Sequence, residues 1–343
     1  MTQHSLSSLG WSADFLRQLA IDEIGVLPPA RVSAVHRDRL DVLTETGSMS
    51  LHLPPGLTTG EVAVGDWVLV DPDRARVARV LDRKSLLHRR AAGVDARDQL
   101  IAANVDTLFI ATSMNADFNP ARLERYLALA YDGGVAPVFV LTKADLCDDP
   151  APFHAALRQI AAAVPVVTLD ARDGTTVLAL ADWCGPGQTV ALLGSSGVGK
   201  STLATTLTGA EIATQGIRED DAKGRHTTTS REFHPLAQGG WLIDTPGMRA
   251  LRLAGVEAGI DAVFDDIAEL AGQCRFSDCQ HESEPGCAVQ AAITTGALDP
   301  DRLGRWQKLR REDARNARSI AEAHAHDRAF GRMIKQVMKD KRR

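Results

Sequence analysis

No apolar run in this chain is long enough to cross a bilayer, which takes about 20 consecutive apolar residues in a helix. The chain therefore reads as soluble. Met1 to Gly10 is polar and lacks the basic-then-apolar layout of a secretory leader, so the cytoplasm is the expected location. Cysteine is scarce: five in 343 residues cannot staple a fold of this length, which excludes a disulfide scaffold. What remains, 44% hydrophobic and 24% charged residues, is the composition of a globular protein. At 343 residues the chain outgrows one ordinary core, so two or three domains are expected, with a monomer as the default.

The net charge of −5 is unevenly spread. From Asp301 to Arg343 there are 14 Lys/Arg against 6 Asp/Glu, a net of +8, so the rest carries −13. A basic tail on an acidic body is either a contact for a polyanion or a solvated helix face.

Residues 1–29 give weak signals: a short helix over Trp11–Leu19, ended by Leu27-Pro28-Pro29, in what reads as a mobile arm. Residues 30–94 hold short strands at Ala30–Val35, Arg39–Leu43, Trp67–Val70 and Arg76–Leu81, separated by Glu45-Thr46-Gly47, Pro54-Pro55-Gly56, Gly65-Asp66 and Asp71-Pro72. Such spacing predicts a small β-barrel, which either binds nucleic acid or only packs. A basic exit, Arg83, Lys84, His88, Arg89 and Arg90, favours RNA. Near Asp95 the pattern changes to strands alternating with helices. Strands are expected at Val105–Ser113, Val135–Leu141, Val164–Leu169, Thr189–Leu193 and Trp241–Ile243, with a polar strand near Arg231–His234. Helices are expected from Asn119-Pro120 to Tyr131 and over Phe153–Ala163. This alternation implies a mostly parallel sheet covered on both faces.

The most informative stretch is Gly194-Ser195-Ser196-Gly197-Val198-Gly199-Lys200-Ser201, followed by the helix-compatible run Thr202–Leu207. It is a phosphate loop in its required strand–loop–helix context. The glycines let backbone N–H groups turn inward onto phosphate oxygens, Lys200 reaches the β- and γ-phosphates, and the Ser201 hydroxyl suits Mg²⁺. Two further motifs fit a GTPase. Asp244-Thr245-Pro246-Gly247 supplies a carboxylate for Mg²⁺ and, at Gly247, an N–H that senses a γ-phosphate. In Thr142-Lys143-Ala144-Asp145 the Asp145 carboxylate accepts from the N1 and N2 edge of guanine, a donor pair that adenine lacks. The base reader precedes the phosphate loop, the reverse of the common order, as in a circular permutation. Between them and Asp244 lies Gly224-Arg225-His226-Thr227-Thr228-Thr229, where Thr228 is the candidate to complete the Mg²⁺ shell. Met248 stands where a glutamine would orient the attacking water. Intrinsic hydrolysis should then be slow, with His226 either positioning water or lying idle on a loop surface.

Cys274, Cys279, His281 and Cys287 follow the spacing Cys-x4-Cys-x-His-x5-Cys within 14 residues. Three thiolates and one imidazole make a closed tetrahedral set, suited to structural zinc. Cys147 and Cys184 stand apart and read as packing or surface residues. Beyond the knuckle, Leu298–Phe330 reads as helical, with Leu303, Trp306 and Leu309 packing.

Taken together, permuted GTPase motifs, a barrel before them and Cys274 through Cys287 after them resemble the bacterial ribosome small-subunit-dependent GTPase A family (RsgA, also called YjeQ). Ile101-Ala102-Ala103-Asn104-Val105-Asp106 is similar to that family's entry to the GTPase domain. The resemblance implies an N-terminal β-barrel (OB-fold) at 30–94 and a circularly permuted α/β P-loop GTPase domain at 95–254. After these comes a mostly helical zinc-binding domain with a basic tail at 255–343. It also implies a late factor in small-subunit maturation, gripping rRNA through barrel and zinc domain, with subunit-stimulated GTP hydrolysis driving release. One departure stands out: the family's base reader is Asn-Lys-x-Asp, and here Thr142 replaces the asparagine. Two other readings remain open, an RNA-binding assembly protein that uses GTP only as a switch, and a P-loop ATPase or kinase. A competition assay of GTP against ATP decides the second, and GTP hydrolysis with and without small ribosomal subunits decides the first.

Overall fold

The computed structural model describes residues 3–90, 98–209, 232–244 and 255–316. They fall into two compact units, one of the described residues up to His88 and between Leu100 and Ala250, the other of those between Arg89 and Gln99 and beyond Leu251. Among the described residues no helix is long and apolar enough to cross a membrane.

The first unit opens with a closed barrel of five strands: β1 (Pro29–Val35), β2 (Arg39–Thr44), β3 (Gly47–His52), β4 (Trp67–Asp71) and β5 (Arg76–Val80). Their order around the barrel is β1-β2-β3-β5-β4, and β4 closes it by pairing antiparallel with β1. The interior is aliphatic, from Val32, Leu40, Val42, Leu51, Val68, Val70 and Val77. Strand β3 escapes the sequence reading because it buries only Gly47 and Leu51, leaving Ser48, Ser50 and His52 outward. Its turn is the one expected, since Thr44 pairs with Gly47 and the Thr44 hydroxyl donates to the Gly47 carbonyl at 2.8 Å.

After a two-stranded ribbon of β6 (Leu86–Arg90) and β7 (Asp98–Ala103) comes a six-stranded sheet. Its strands are β8 (Thr107–Ser113), β9 (Ala136–Thr142), β10 (Val166–Thr168), β11 (Thr189–Gly194), β12 (Glu232–Pro235) and β13 (Trp241–Asp244). The order is β10-β9-β8-β11-β13-β12, parallel except for β12 at one edge. Strands β8 and β11 are buried along their whole length, as central strands covered on both faces must be. Asn119 caps the helix Pro120–Asp132 by accepting from the Arg122 N–H at 3.0 Å, and proline sits at its first turn.

The N-terminal residues are an arm, but a packed one rather than the mobile segment expected. Leu9 and Phe15 are fully buried. Trp11 stacks on Phe15 and meets Trp67 of β4 edge-on at 4.8 Å. The Trp241 indole N–H donates to the Ser8 carbonyl at 2.7 Å. Under the arm lies Arg31, 1% exposed. Its guanidinium donates to the carbonyls of Leu9 in the arm, Gly65 in the barrel (3.3 Å) and Asn104 at the entry to the sheet (2.9 Å). It also lies over the rings of Trp67 and Phe233. Burial brings its pKa down to about 10, so it stays charged at neutral pH, aided by the nearby Asp106 and Asp66.

Asn104 adopts a left-handed backbone, φ +54, from which its side chain donates to the Gly65 carbonyl and accepts from the Lys84 N–H. Gly65, φ +91, approaches the Ala103 carbonyl so closely that a Cβ would collide with it. The basic exit of the barrel is largely spent on structure. Arg83 pairs with the fully buried Asp66 at 2.7 Å, Lys84 lies over the Phe15 ring, and His88 faces Asp132 at 3.4 Å.

The second unit is helical: Glu257–Val263, Asp265–Ala271, Ala288–Thr294 and a helix covering 300–316. Arg302 grips Asp266 with both Nε and Nη2, at 2.8 and 2.9 Å, and the Val256 N–H donates to Asp313 at 3.1 Å. Leu303 and Leu309 are buried and Trp306 half-buried, as their spacing implied.

A matched pair of substitutions isolates the close approach at Gly65. Gly56 has the same left-handed backbone, φ +95, with open space around it. Both alanine changes strain φ, but only Gly65→Ala also meets a carbonyl. Gly65→Ala should therefore cost about 2 kcal/mol more in denaturant unfolding than Gly56→Ala.

Candidate functional site

The parallel strands deliver their C-terminal ends to one edge of the sheet, where α/β proteins of this type bind ligands. Strand β11 ends at Gly194, which packs so tightly on Ala111 of β8 that no Cβ fits. The loop Ser195–Gly199 then turns through left-handed glycines, φ +78 at Gly197 and +95 at Gly199, into the helix Lys200–Thr208. Ser201 and Thr202 lie in its first turn. The Lys200 ammonium donates to the Ser195 carbonyl at 2.5 Å, folded over its own loop. Asp244 ends the neighbouring β13. Gly247, His226 and Thr228 lie outside the described residues, as does Met248.

The base reader leaves β9, two strands from β11. Thr142 is fully buried, and its hydroxyl lies 2.6 Å from the Val198 carbonyl in the phosphate loop and 3.2 Å from the Thr112 carbonyl. The hydroxyl thus ties the end of β9 to the phosphate loop. Lys143 is left-handed, φ +60, and Ala144, Asp145 and Leu146 form a 3₁₀ turn. That turn swings the Asp145 carboxylate to the sheet edge.

Two features here were missed in the sequence. Asp117, beyond the end of β8, accepts from the Ser195 hydroxyl at 2.6 Å and pairs with Arg122. The Ser195 hydroxyl, then Arg122 and Lys143, hold its pKa below the ordinary carboxylate range. The loop after β10, Asp170-Ala171-Arg172, lies against the base reader, with Arg172 bonded to both Asp145 and Asp170. A polar loop at the end of a parallel strand was the signal available for both.

In the second unit Cys274, Cys279, His281 and Cys287 converge, all four ligand atoms lying within 4.8 Å of one another. The His281 Nδ1 is 3.6 Å from the Cys274 sulfur and 3.5 Å from that of Cys287, and the two sulfurs are 3.9 Å apart. This cluster could hold a metal ion. His281 is left-handed, φ +60, and its carbonyl accepts from Gln290 at 2.6 Å. Burial lowers the His281 pKa, favouring the neutral imidazole that ligates. Glu284 organises the loop by accepting the N–H groups of Gln280, Glu282 and Ser283 at 2.8 to 3.0 Å, bonds that pull its pKa down to about 2. Cys184 is buried with its thiol pushed up to about 12, a packing residue as expected.

In sequence Thr142–Asp145 comes before the phosphate loop and Asp244 after it, yet in space the ends of β9 and β13 lie on either side of the end of β11. That order on that sheet defines the class: a GTPase domain with circularly permuted motifs. The family described as RsgA GTPase matches residues 80–254. The "Small ribosomal subunit biogenesis GTPase RsgA" of Mesorhizobium japonicum is 55% identical over 316 residues, 91% of each chain. The "Small ribosomal subunit biogenesis GTPase RsgA 2" of Vibrio parahaemolyticus is 48% identical over 343 residues, covering 100% of this chain and 95% of the relative. Among solved structures, YjeQ from Thermotoga maritima superposes with a TM-score of 0.61 at 26% identity, over 82% of this chain and 96% of that one. YloQ, described as a circularly permuted GTPase, gives 0.58 at 21% identity over 82% and 93%, a likeness of fold. The chain belongs to the RsgA GTPase family.

Two substitutions test these sites. Thr142→Val keeps shape but leaves the buried Val198 carbonyl without its donor, and should lower unfolding stability by about 1–3 kcal/mol in denaturant titration. Glu284→Ala removes the acceptor that folds the knuckle. It should weaken Zn²⁺ retention about tenfold in competition with a chromophoric chelator.

Proposed function

We propose that this protein hydrolyses GTP on the small ribosomal subunit, and that hydrolysis drives a late step of subunit maturation and the enzyme's own release. The likeness to proteins named for small-subunit biogenesis supports this reading. It extends over 91% of both chains and so includes the barrel and the knuckle as well as the GTPase domain. The cytoplasm is where such a subunit is met, and rRNA is the polyanion that barrel, knuckle and basic tail would contact.

Within the nucleotide site the amides of 194–202 and Lys200 hold the phosphates. Lys200 exchanges the Ser195 carbonyl for phosphate oxygens. Ser201, Asp244 and Thr228 would hold Mg²⁺, which would supply positive charge against the phosphates. Thr142, Lys143, Ala144 and Asp145 form the base-reading turn, and Asp145 takes the N1 and N2 donors of guanine. Gly247 senses the γ-phosphate. Because Met248 cannot orient water, His226 does so on the subunit.

One Zn²⁺ fits the knuckle. A tetrahedron with Zn–S of about 2.3 Å and Zn–N of about 2.0–2.1 Å has S···S edges of about 3.8 Å and S···N edges of about 3.6 Å. Among Cys274, Cys287 and His281 the sulfur–sulfur distance of 3.9 Å and the sulfur–nitrogen distances of 3.5 and 3.6 Å match, and Cys279 completes a set lying within 4.8 Å. Four protein ligands close the coordination shell, so the ion's role is structural: it cross-links a loop that has little core of its own.

The test is the rate of GTP hydrolysis by purified protein, alone and with small ribosomal subunits, with ATP as control. The expected outcome is slow turnover alone, strong stimulation by subunits, no stimulation with ATP, and a loss of about a hundredfold in the stimulated rate for His226→Ala. Tight GTP-dependent subunit binding without stimulation would instead make the protein a switch without turnover.

A further inference from the structure

We propose that Arg172 is a specificity-determining residue of the nucleotide site: it holds the base-reading carboxylate of Asp145 when no base is bound, and guanine must displace it. The proposal rests on the guanine-binding reading above.

The scaffold brings the two loops together before any side chain is considered. The Leu169 N–H donates to the Leu141 carbonyl at 2.9 Å, and the Ala144 N–H points at the Leu169 carbonyl. Asp170 is fixed in turn: its N–H donates to the Thr176 hydroxyl, which donates back to its carbonyl. On this frame the Arg172 Nη2 donates to Asp145 Oδ2 at 2.6 Å and to Asp170 Oδ2 at 2.9 Å. The Arg172 Nε and backbone N–H both donate to Asp170 Oδ1, at 3.1 and 3.0 Å.

The chemistry of the contact makes it a mimic. The edge of guanine that a carboxylate reads is N1–H, C2 and the N2 amino group, two N–H donors on one carbon. A guanidinium presents the same fork. Arg172 therefore offers Asp145 one donor of the kind guanine offers, Nη2 on Oδ2, while its Nε and Nη2 fork holds Asp170. The Arg172 side chain is 66% exposed, so it can leave, whereas those of Asp145 and Asp170 are 27% and 22% exposed. When guanine takes Asp145, Arg172 keeps its two anchors on Asp170 and stays beside the base. Hypoxanthine, which lacks the N2 amino group, satisfies only one carboxylate oxygen and leaves Arg172 its hold on the other. Removing Arg172 should thus favour guanosine over inosine nucleotides, a signature that a purely structural role does not produce.

The experiment is stopped-flow association of fluorescent N-methylanthraniloyl GDP and IDP with the nucleotide-free full chain. Arg172→Ala should bind GDP with an association rate constant about two- to fivefold higher, the range expected for loss of an exposed ion pair. The gain for IDP should be smaller, and added salt should shrink the difference from wild type by screening the pair. Arg172→Gln, uncharged but polar, should behave as Arg172→Ala does. Unchanged or slower association of GDP, an equal gain for IDP, or wild-type rates in Arg172→Gln would overturn the proposal while leaving guanine binding intact. Failure of the wild type to bind GDP at all would overturn the guanine-binding reading, and the proposal with it.

Discussion

One buried guanidinium holds the first unit together. Arg31 sits on β1 of the barrel, but its three acceptors belong to the arm, to the loop before β4 and to the entry of the sheet. A charge with 1% exposure survives only because every donor edge finds an acceptor or an aromatic face. Its ring contacts extend the set: Phe233, which it covers, stacks on Trp241 at 4.6 Å, and Trp241 is bonded to the arm at Ser8. The β12–β13 pair is therefore clamped from the barrel side, and in sequence it stands between the stretch of His226 and Thr228 and that of Gly247.

Around that clamp the nucleotide site is wired by short polar ties laid over one apolar core that the sheet shares with its helices. Thr142 reaches the phosphate loop through one hydroxyl, Asp117 reaches it through Ser195, and Arg172 reaches the base reader through Asp145. Each tie joins residues far apart in sequence, between neighbouring strand ends or, for Thr142 and Val198, across the one strand that separates β9 from β11. A permuted order therefore costs the site nothing: what matters is which strand ends are adjacent, and β9, β8, β11 and β13 keep that adjacency.

Much of this was legible in the sequence because its signals are local. The phosphate loop, the Asn119-Pro120 helix start and the cysteine spacing each declare themselves within a few residues. Long apolar runs such as Val105–Ser113 and Thr189–Leu193 announce buried parallel strands. What escaped was non-local or compositionally faint. Strand β3 alternates too many polar residues with a glycine to read as a strand. The arm looked mobile because Trp11 and Phe15 find their partner in Trp67 and Ser8 finds its partner in Trp241, far along the chain. The basic residues after the barrel read as an RNA surface, yet Arg83 spends its charge on the buried Asp66. Thr142 read only as a departure from asparagine, because its partner Val198 is distant in sequence.

The close approach of Gly65 to Ala103, together with the Asn104 bonds on either side of it, bears on how such a protein is inherited. A barrel joined to a nucleotide domain by a loose linker could be shuffled onto another partner, as beads on a string are. Here the seam is cut to fit on both sides, and separating the pieces strands a buried cation on one and a bare indole on the other. Recombination that split the chain between them would yield two misfolding fragments, so the barrel and the nucleotide domain descend as a single heritable block.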